Sequence, residues 1–349
     1  MLCKNKLIKS FLILALFQPI LFSCKEKESP FSETERLQDE SHRFCIGFSI
    51  DTLALERWQR DLDIFMNRVR ELGADVIVQN AGNSVEVQNK QLLYLMDRKV
   101  DAVVILPKKM DAFSETVQKL RSRGIPVISY DRLLRDADIS LYISVNTERV
   151  GELMAKRMLS QGAGPSWYCI LGPEDDYNMQ LLQNGLKGAI RDKNVRIAGT
   201  YYTEGWNYDL SYQEAVRVIT GGSIPDAIIC GNDAVAGSVL RAISDYLPGR
   251  HIALCGQDAD IVACQNIVRG LQDFTVYKPI TTLAELAADY AVQLAYGMEV
   301  EGFVKNSKKI NNGWGEIPVV WLEPKIVTKD TIESVIVGSG FHTRGEIYK

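Results

Sequence analysis

From residue 44 onward the chain alternates short apolar runs with helical segments, and this alternation restricts its fold more than any other feature. The runs are 44–50, 75–79, 102–106, 126–130 and 139–145, then 166–171, 197–202, 227–230, 252–255 and 274–277. Most are rich in Val and Ile without polar alternation, the pattern of strands buried on both faces of a parallel sheet. The segments between them carry helical spacing. Trp58, Leu62, Phe65, Val69 and Leu72 form one apolar stripe that stops at Gly73. Phe113, Val117 and Leu120 repeat the device before Gly124, as do Leu283, Leu286, Tyr290 and Leu294 before Gly297. Strands alternating with helices make βαβ units with right-handed crossovers. About 300 residues of such units exceed one compact core, which predicts an α/β chain of two doubly wound, Rossmann-like parallel-sheet lobes.

The residues directly after the strands carry the functional information. Asp51, Gln79-Asn80, Asp131-Arg132, Asn146, Asp175-Asp176, Asn232-Asp233, Gln257-Asp258 and Lys278 cluster at the carboxyl ends of the runs. In open α/β sheets ligands bind at that edge. Two sheets facing one another there would line a cleft with amides, carboxylates and cations. Turn chemistry alone accounts for Asn, Asp and Gly, but not for Arg132 and Lys278 directly after strands.

The first residues concern location. Lys4, Lys6 and Lys9 precede an apolar stretch from Phe11 to Phe22, which suits a signal-peptide core and is too short to span a membrane. Leu21-Phe22-Ser23-Cys24 resembles a bacterial lipoprotein box, with Phe22 bulkier than usual. The expectation is a leader over 1–23, lipidation of Cys24, a charged flexible tether over 24–43 and a lipid-anchored body in the cell envelope. Removing the leader's three lysines from 40 basic residues leaves 37 against 44 acidic ones, a net charge of −7. That balance argues against a nucleic-acid partner. Of seven cysteines, Cys45, Cys169, Cys230, Cys255 and Cys264 lie far apart inside apolar segments and read as free thiols. Three histidines are too few and too scattered for a histidine metal site, and no cofactor is expected.

Several stretches together resemble a known family. They are Ile50-Asp51-Thr52-Leu53-Ala54-Leu55-Glu56-Arg57-Trp58-Gln59, Ser129-Tyr130-Asp131-Arg132, Tyr142-Ile143-Ser144, Cys230-Gly231-Asn232-Asp233-Ala234, Gly256-Gln257-Asp258-Ala259-Asp260 and Thr275-Val276-Tyr277-Lys278-Pro279-Ile280. In register from about residue 44 to about 343, they resemble the D-xylose-binding proteins of ABC sugar importers, within the type I periplasmic binding fold. The resemblance implies that Arg57, Asp131, Arg132, Asn178, Asn232, Asp258 and Lys278 hydrogen-bond sugar hydroxyls, with Trp58 and Trp206 supplying aromatic faces. It also implies one monosaccharide at a three-strand hinge, closure around it and docking to a permease. The chain departs from the family pattern over 173–176, beside Asn178, and over 207–211, beside Trp206.

Each residue also has a plainer reading. Arg57 can be a solvated helix residue beside Glu56, Asp131-Arg132 a local ion pair, Asn232-Asp233 a helix cap, Trp206 core and Lys278 a domain crossing. The chain is expected to cross between lobes near 146–148, 278–281 and 307–316. That places 44–146 plus 281–308 in the N-terminal lobe and 148–278 plus 309–349 in the C-terminal lobe. The expected function is delivery of a monosaccharide to an ABC permease by a monomeric binding protein that is not an enzyme. A sensor presenting the same closed form to a membrane histidine kinase is the alternative. Gly162-Ala163-Gly164 precedes a strand rather than coming after one, so it is no dinucleotide fingerprint, and no GxSxG, Walker A or zinc motif occurs. A repressor of the related regulator family would need DNA-binding helices where the leader stands.

Overall fold

A computed structural model describes residues 43–304 and 308–349. The expected leader, Cys24 and the tether up to residue 42 lie outside the described residues. The first sheet is built from β1 (Cys45–Ile50), β2 (Asp75–Asn80), β3 (Ala102–Leu106), β4 (Val127–Tyr130) and β5 (Leu141–Val145). Between them lie α1 (Glu56–Glu71), α2 (Val85–Asp97) and α3 (Ser114–Ser122). The chain continues through α4 (Thr147–Ser160), β6 (Ser166–Leu171), α5 (Tyr177–Ile190), β7 (Arg196–Tyr202), α6 (Tyr208–Thr220) and β8 (Ala227–Cys230). It closes the second sheet with α7 (Asp233–Tyr246), β9 (Ala253–Gln257), α8 (Ile261–Arg269) and β10 (Phe274–Tyr277). Then come α9 (Ile280–Ala295), α10 (Val300–Phe303), β11 (Lys308–Asn311), β12 (Glu316–Leu322), β13 (Lys325–Val327) and α11 (Arg344–Ile347).

These strands form two sheets. The first has seven strands in the order β11-β12-β5-β4-β3-β1-β2, and the second six in the order β13-β10-β9-β8-β6-β7. Pairing is parallel except where β11 meets β12 and where β13 meets β10. Helices cover both faces, so a central strand feeds two cores. Ala102, Val104 and Leu106 pack on one side with Phe65 and Val69 of α1 and Ala284, Ala287, Ala288 and Ala291 of α9. Val103 and Ile105 pack on the other with Leu92 and Leu95 of α2 and Val117 and Leu120 of α3. Fully burying one such side chain contributes roughly 1.5–3 kcal/mol, which is why the apolar runs lack polar alternation.

The chain passes between sheets after β5, after β10 and after β12. The last passage corrects the expected partition. Residues 309–322 belong to the first sheet, not to the C-terminal lobe, because β12 pairs with β5 from Val319↔Tyr142 to Leu322↔Val145. The crossing therefore falls between Leu322 and Lys325, beyond 307–316. Pro318 interrupts the apolar run of β12 and sits opposite Lys309, just before the part that pairs with β5. A strand-interior proline is tolerated only at such an edge position, and it hides the strand from a pattern reading. Cys169, Cys230, Cys255 and Cys264 are buried free thiols and Cys45 is a half-buried one, as expected. No helix among the described residues is long and apolar enough to cross a membrane.

Candidate functional site

The carboxyl ends of both sheets meet across a cleft. On the first lobe, α1 begins just past β1 and its first turn carries Arg57 and Trp58. Arg57 is buried rather than solvated. Its Nη2 donates to Asp131 Oδ2, its Nε stands 3.8 Å from Asp61 Oδ2 and its Nη1 3.9 Å from Asp258 Oδ1. Its guanidinium also lies 4.4 Å from the centre of the Trp58 ring. Burial acts to deprotonate Arg57, but the Asp131, Asp61 and Asp258 charges more than offset it and keep the cation firmly protonated. Arg132 does not pair with its neighbour Asp131. It donates to Asp51 Oδ2 at 2.5 Å, to the Pro107 carbonyl at 3.3 Å and across the cleft to Asp176 Oδ2 at 3.1 Å.

Asp131 sits at the end of β4 in the left-handed region, φ 60°. Such a conformation costs a non-glycine residue about 1–3 kcal/mol and survives only where its surroundings fix it. Here the Asp131 carbonyl accepts from Tyr142 Oη at 2.9 Å and Ser144 Oγ at 2.8 Å, and its N–H donates to the Ile143 carbonyl at 2.9 Å. The result turns the carboxylate toward Arg57 and toward Asn178 Nδ2 of the second lobe, 2.6 Å from Oδ1. Burial pushes the Asp131 carboxyl up, but the Arg57, Lys278 and Arg132 cations outweigh it and hold the carboxyl below the usual range. Behind this layer Tyr130 Oη donates to Asp61 Oδ2 at 2.7 Å.

The second lobe presents amides and rings. Asn178 opens α5, and Asn232 caps α7 by accepting from the Val235 N–H at 2.9 Å, with its Nδ2 3.4 Å from Tyr208 Oη. Trp206 lies just past β7 in a one-turn helix with φ 56°. A Cβ on Gly172 would lie 2.2 Å from the indole, so only glycine lets that ring cover the end of β6. Asp258 and Ala259 both have positive φ, and Asp258 pairs with Lys278 Nζ at 2.6 Å. Asp233 braces this loop, accepting from the Asp260 N–H at 3.1 Å, Thr275 Oγ1 at 2.8 Å and Gln272 Nε2 at 3.0 Å. Burial, with the Asp260 and Asp258 charges nearby, pushes the Asp233 carboxyl well above its usual range.

These walls enclose a cavity of about 230 Å³ lined from the first lobe by Arg57, Trp58 and Arg132 and from the second by Asn178, Trp206, Asn232, Asp258 and Lys278. It is smaller than the roughly 300–1,000 Å³ of pockets that take drug-sized ligands. Its lining has three cations, Arg57, Arg132 and Lys278, against three carboxylates, Asp176, Asp258 and Asp260. Every one of these cations is ion-paired.

Residues 46–299 match the periplasmic binding protein domain. The chain belongs to the periplasmic binding protein family. It is 35% identical over 308 residues to the D-xylose-binding periplasmic protein of Haemophilus influenzae, covering 87% of this chain and 92% of that one. It is 36% identical over 307 residues to the protein of the same name from Escherichia coli, covering 86% and 92%. Among solved structures, an ABC transporter solute binding protein from Clostridium phytofermentans with bound beta-D-glucose superposes with a TM-score of 0.78, at 24% identity, over 87% of this chain and 99% of that one.

In this periplasmic binding protein eight of the nine residues expected at a ligand site line one cavity. Asp131 does not line it; it stands behind, only 2% exposed, holding Arg57 and Asn178. Asn232 does serve as a helix cap, so its plainer reading holds alongside its place in the cavity wall. The cavity also draws on Tyr208, Gln257 and Asp260. Tyr208 lies in the stretch that departs from the family pattern, and no spacing rule would have singled it out.

Proposed function

We propose that this protein captures a neutral monosaccharide, D-xylose, between its lobes and presents the closed form to the permease of an ABC importer. The observation that carries the ligand class is charge balance in a small polar cavity: with each lining cation paired, a carboxylate or phosphate ligand would meet no available counter-charge. A polyol suits such a wall, because its hydroxyls donate to carboxylates and accept from guanidinium, ammonium and amide groups. The indoles of Trp58 and Trp206 suit its C–H surface. Two relatives at 35% and 36% identity bearing the name D-xylose-binding support the pentose. Bonds to charged partners contribute about 1.5–3 kcal/mol each, so a handful reaches micromolar affinity, about −8 kcal/mol, after ordering costs. The lobes already touch through Asn178–Asp131 and Arg132–Asp176, and a ligand bonded to both walls selects that closed arrangement. We place the protein outside the cytoplasmic membrane, tethered by lipid on Cys24.

Titration calorimetry of the purified protein tests this reading. Xylose heat with micromolar affinity, and the sugar recovered unchanged, is the expected result. Heat from another sugar and none from xylose would reassign the ligand, and binding of anions alone would overturn the class.

A further inference from the structure

We propose that Asp61, braced by Tyr130, is a positioning residue that orients Arg57 in the cavity wall, and that it does so only as the carboxylate; the inference rests on the functional reading above and adds a residue to it. Asp61 does not itself line the cavity; Arg57, which does, is its neighbour there. It lies one turn beyond Arg57 on α1, 1% exposed. Its Oδ2 takes the Tyr130 hydroxyl at 2.7 Å and faces Arg57 Nε at 3.8 Å, while its Oδ1 is buried without a hydrogen-bond partner. The guanidinium thus has one carboxylate, Asp131, hydrogen-bonded at Nη2 and a second, Asp61, 3.8 Å from its Nε, which makes no hydrogen bond of its own. Asp131 gives Oδ2 to Arg57 and Oδ1 to Asn178, so it holds the Nη2 corner of the guanidinium and leaves the Nε edge to Asp61.

The groups facing Asp61 are Arg57 on its own helix, Tyr130 and Asp131 from the end of β4, and Lys278 from the end of β10. Burial raises its carboxyl, Arg57 and the Tyr130 hydrogen bond lower it, Asp131 raises it and Lys278 lowers it, leaving it pushed up to about 7. A group that titrates there is split between its forms at neutral pH. Below that value the proton removes the charge that holds the Arg57 Nε edge. Above it both carboxylates are charged, so sugar affinity rises with pH.

The test is xylose titration from about two pH units below to two above this midpoint, for the unchanged protein, Asp61→Asn and Tyr130→Phe. If the sugar draws the Asp61 pKa down by one unit, affinity gains about tenfold across the range. Asp61→Asn, isosteric and uncharged, should bind at every pH about as weakly as the unchanged protein does at low pH. Tyr130→Phe should keep the slope and move its midpoint upward, since a bond to the ionised form is lost. A purely structural Asp61 would change melting temperature in these variants but leave the pH slope in place, and that slope surviving in Asp61→Asn overturns the inference. Ligand-free tryptophan fluorescence supplies a readout without sugar, because Trp58 lies against Arg57. Its titration near neutrality should vanish in Asp61→Asn. If xylose binds to no form while that titration vanishes as expected, the functional reading fails and the Asp61–Arg57 coupling stands.

Discussion

The two walls of the cleft are built by opposite means. On the first lobe buried ionisable residues fall into two sets, Arg57 with Asp131 and Asp61, and Arg132 with Asp51. On the second lobe Asn178, Trp206, Tyr208, Asn232 and Gln257 are neutral, and of its charged lining residues Asp258 pairs with Lys278 and also approaches Arg57, while Asp176 pairs with Arg132 across the cleft. A buried ion network admits one arrangement, because moving any member strands another charge away from water. The amides of the second wall are anchored too, Asn178 donating to Asp131, Asn232 accepting from Val235 and Gln257 donating to the Gly231 carbonyl, but replacing a neutral amide strands no charge. The difference predicts that first-wall substitutions cost stability and binding together, whereas second-wall substitutions change which sugars bind.

The hardest blow to this contrast would come from Arg132→Ala. Deleting the guanidinium leaves Asp51 and Asp176 buried without their cation, a loss of about 3–5 kcal/mol in denaturant unfolding. A cost under about 1 kcal/mol would mean that the first wall is no more rigid than the second. Next comes Asp258→Ala, which removes the carboxylate proposed to accept from sugar hydroxyls. Xylose affinity should fall by at least about 1.5–3 kcal/mol in calorimetry, and unchanged affinity would remove Asp258 from the site. Asn232→Ala sharpens the comparison further. Loss of the cap on α7 costs about 1 kcal/mol of stability, and the ranking of pentoses against hexoses should shift at the same time. A variant that lost stability but kept the ranking would confine Asn232 to its capping role.

Legibility in the sequence tracked burial. Strands enclosed on both faces, such as β3, have no polar residue to blur the pattern and were readable from their runs alone. β12 was not, because Pro318 and the neighbouring Asn-Asn-Gly turn read as loop, and the three-residue β13 is too short for any periodicity. At the site, charged residues directly after strands stood out, since turns do not need Arg132 or Lys278. Whether Asp131 lines the cavity or stands behind it depends on a positive φ that no spacing reveals. Asp61 did leave a trace. It lies three residues after Trp58 and four before Phe65, so a carboxylate occupies the buried stripe of α1. A charge on a core face requires a buried partner, and here that partner is Arg57 together with Tyr130.

The smallest effect is expected where the walls are joined from outside the cleft. Arg60, close to Arg57 on α1, donates to the Phe341 carbonyl and holds its guanidinium 3.9 Å from the centre of that ring. Phe341 packs on Tyr277, ring centres 4.9 Å apart, and the neighbouring His342 Nε2 lies 2.9 Å from the carbonyl of Ala259, beside Asp258. The C-terminal segment thus links the charged wall's helix to the loop of the second wall. A half-buried cation over a ring contributes about 0.5–1 kcal/mol, and this one joins α1 of the first lobe to a segment packed on the second. Arg60→Ala should therefore weaken xylose binding about two- to fivefold, with the unfolding midpoint nearly unmoved and the ligand-free particle larger by small-angle scattering. If affinity and particle size both stayed as they were, the Arg60–Phe341 contact would be incidental, and closure would rest on the contacts across the cleft itself, Arg132–Asp176 and Asn178–Asp131 among them.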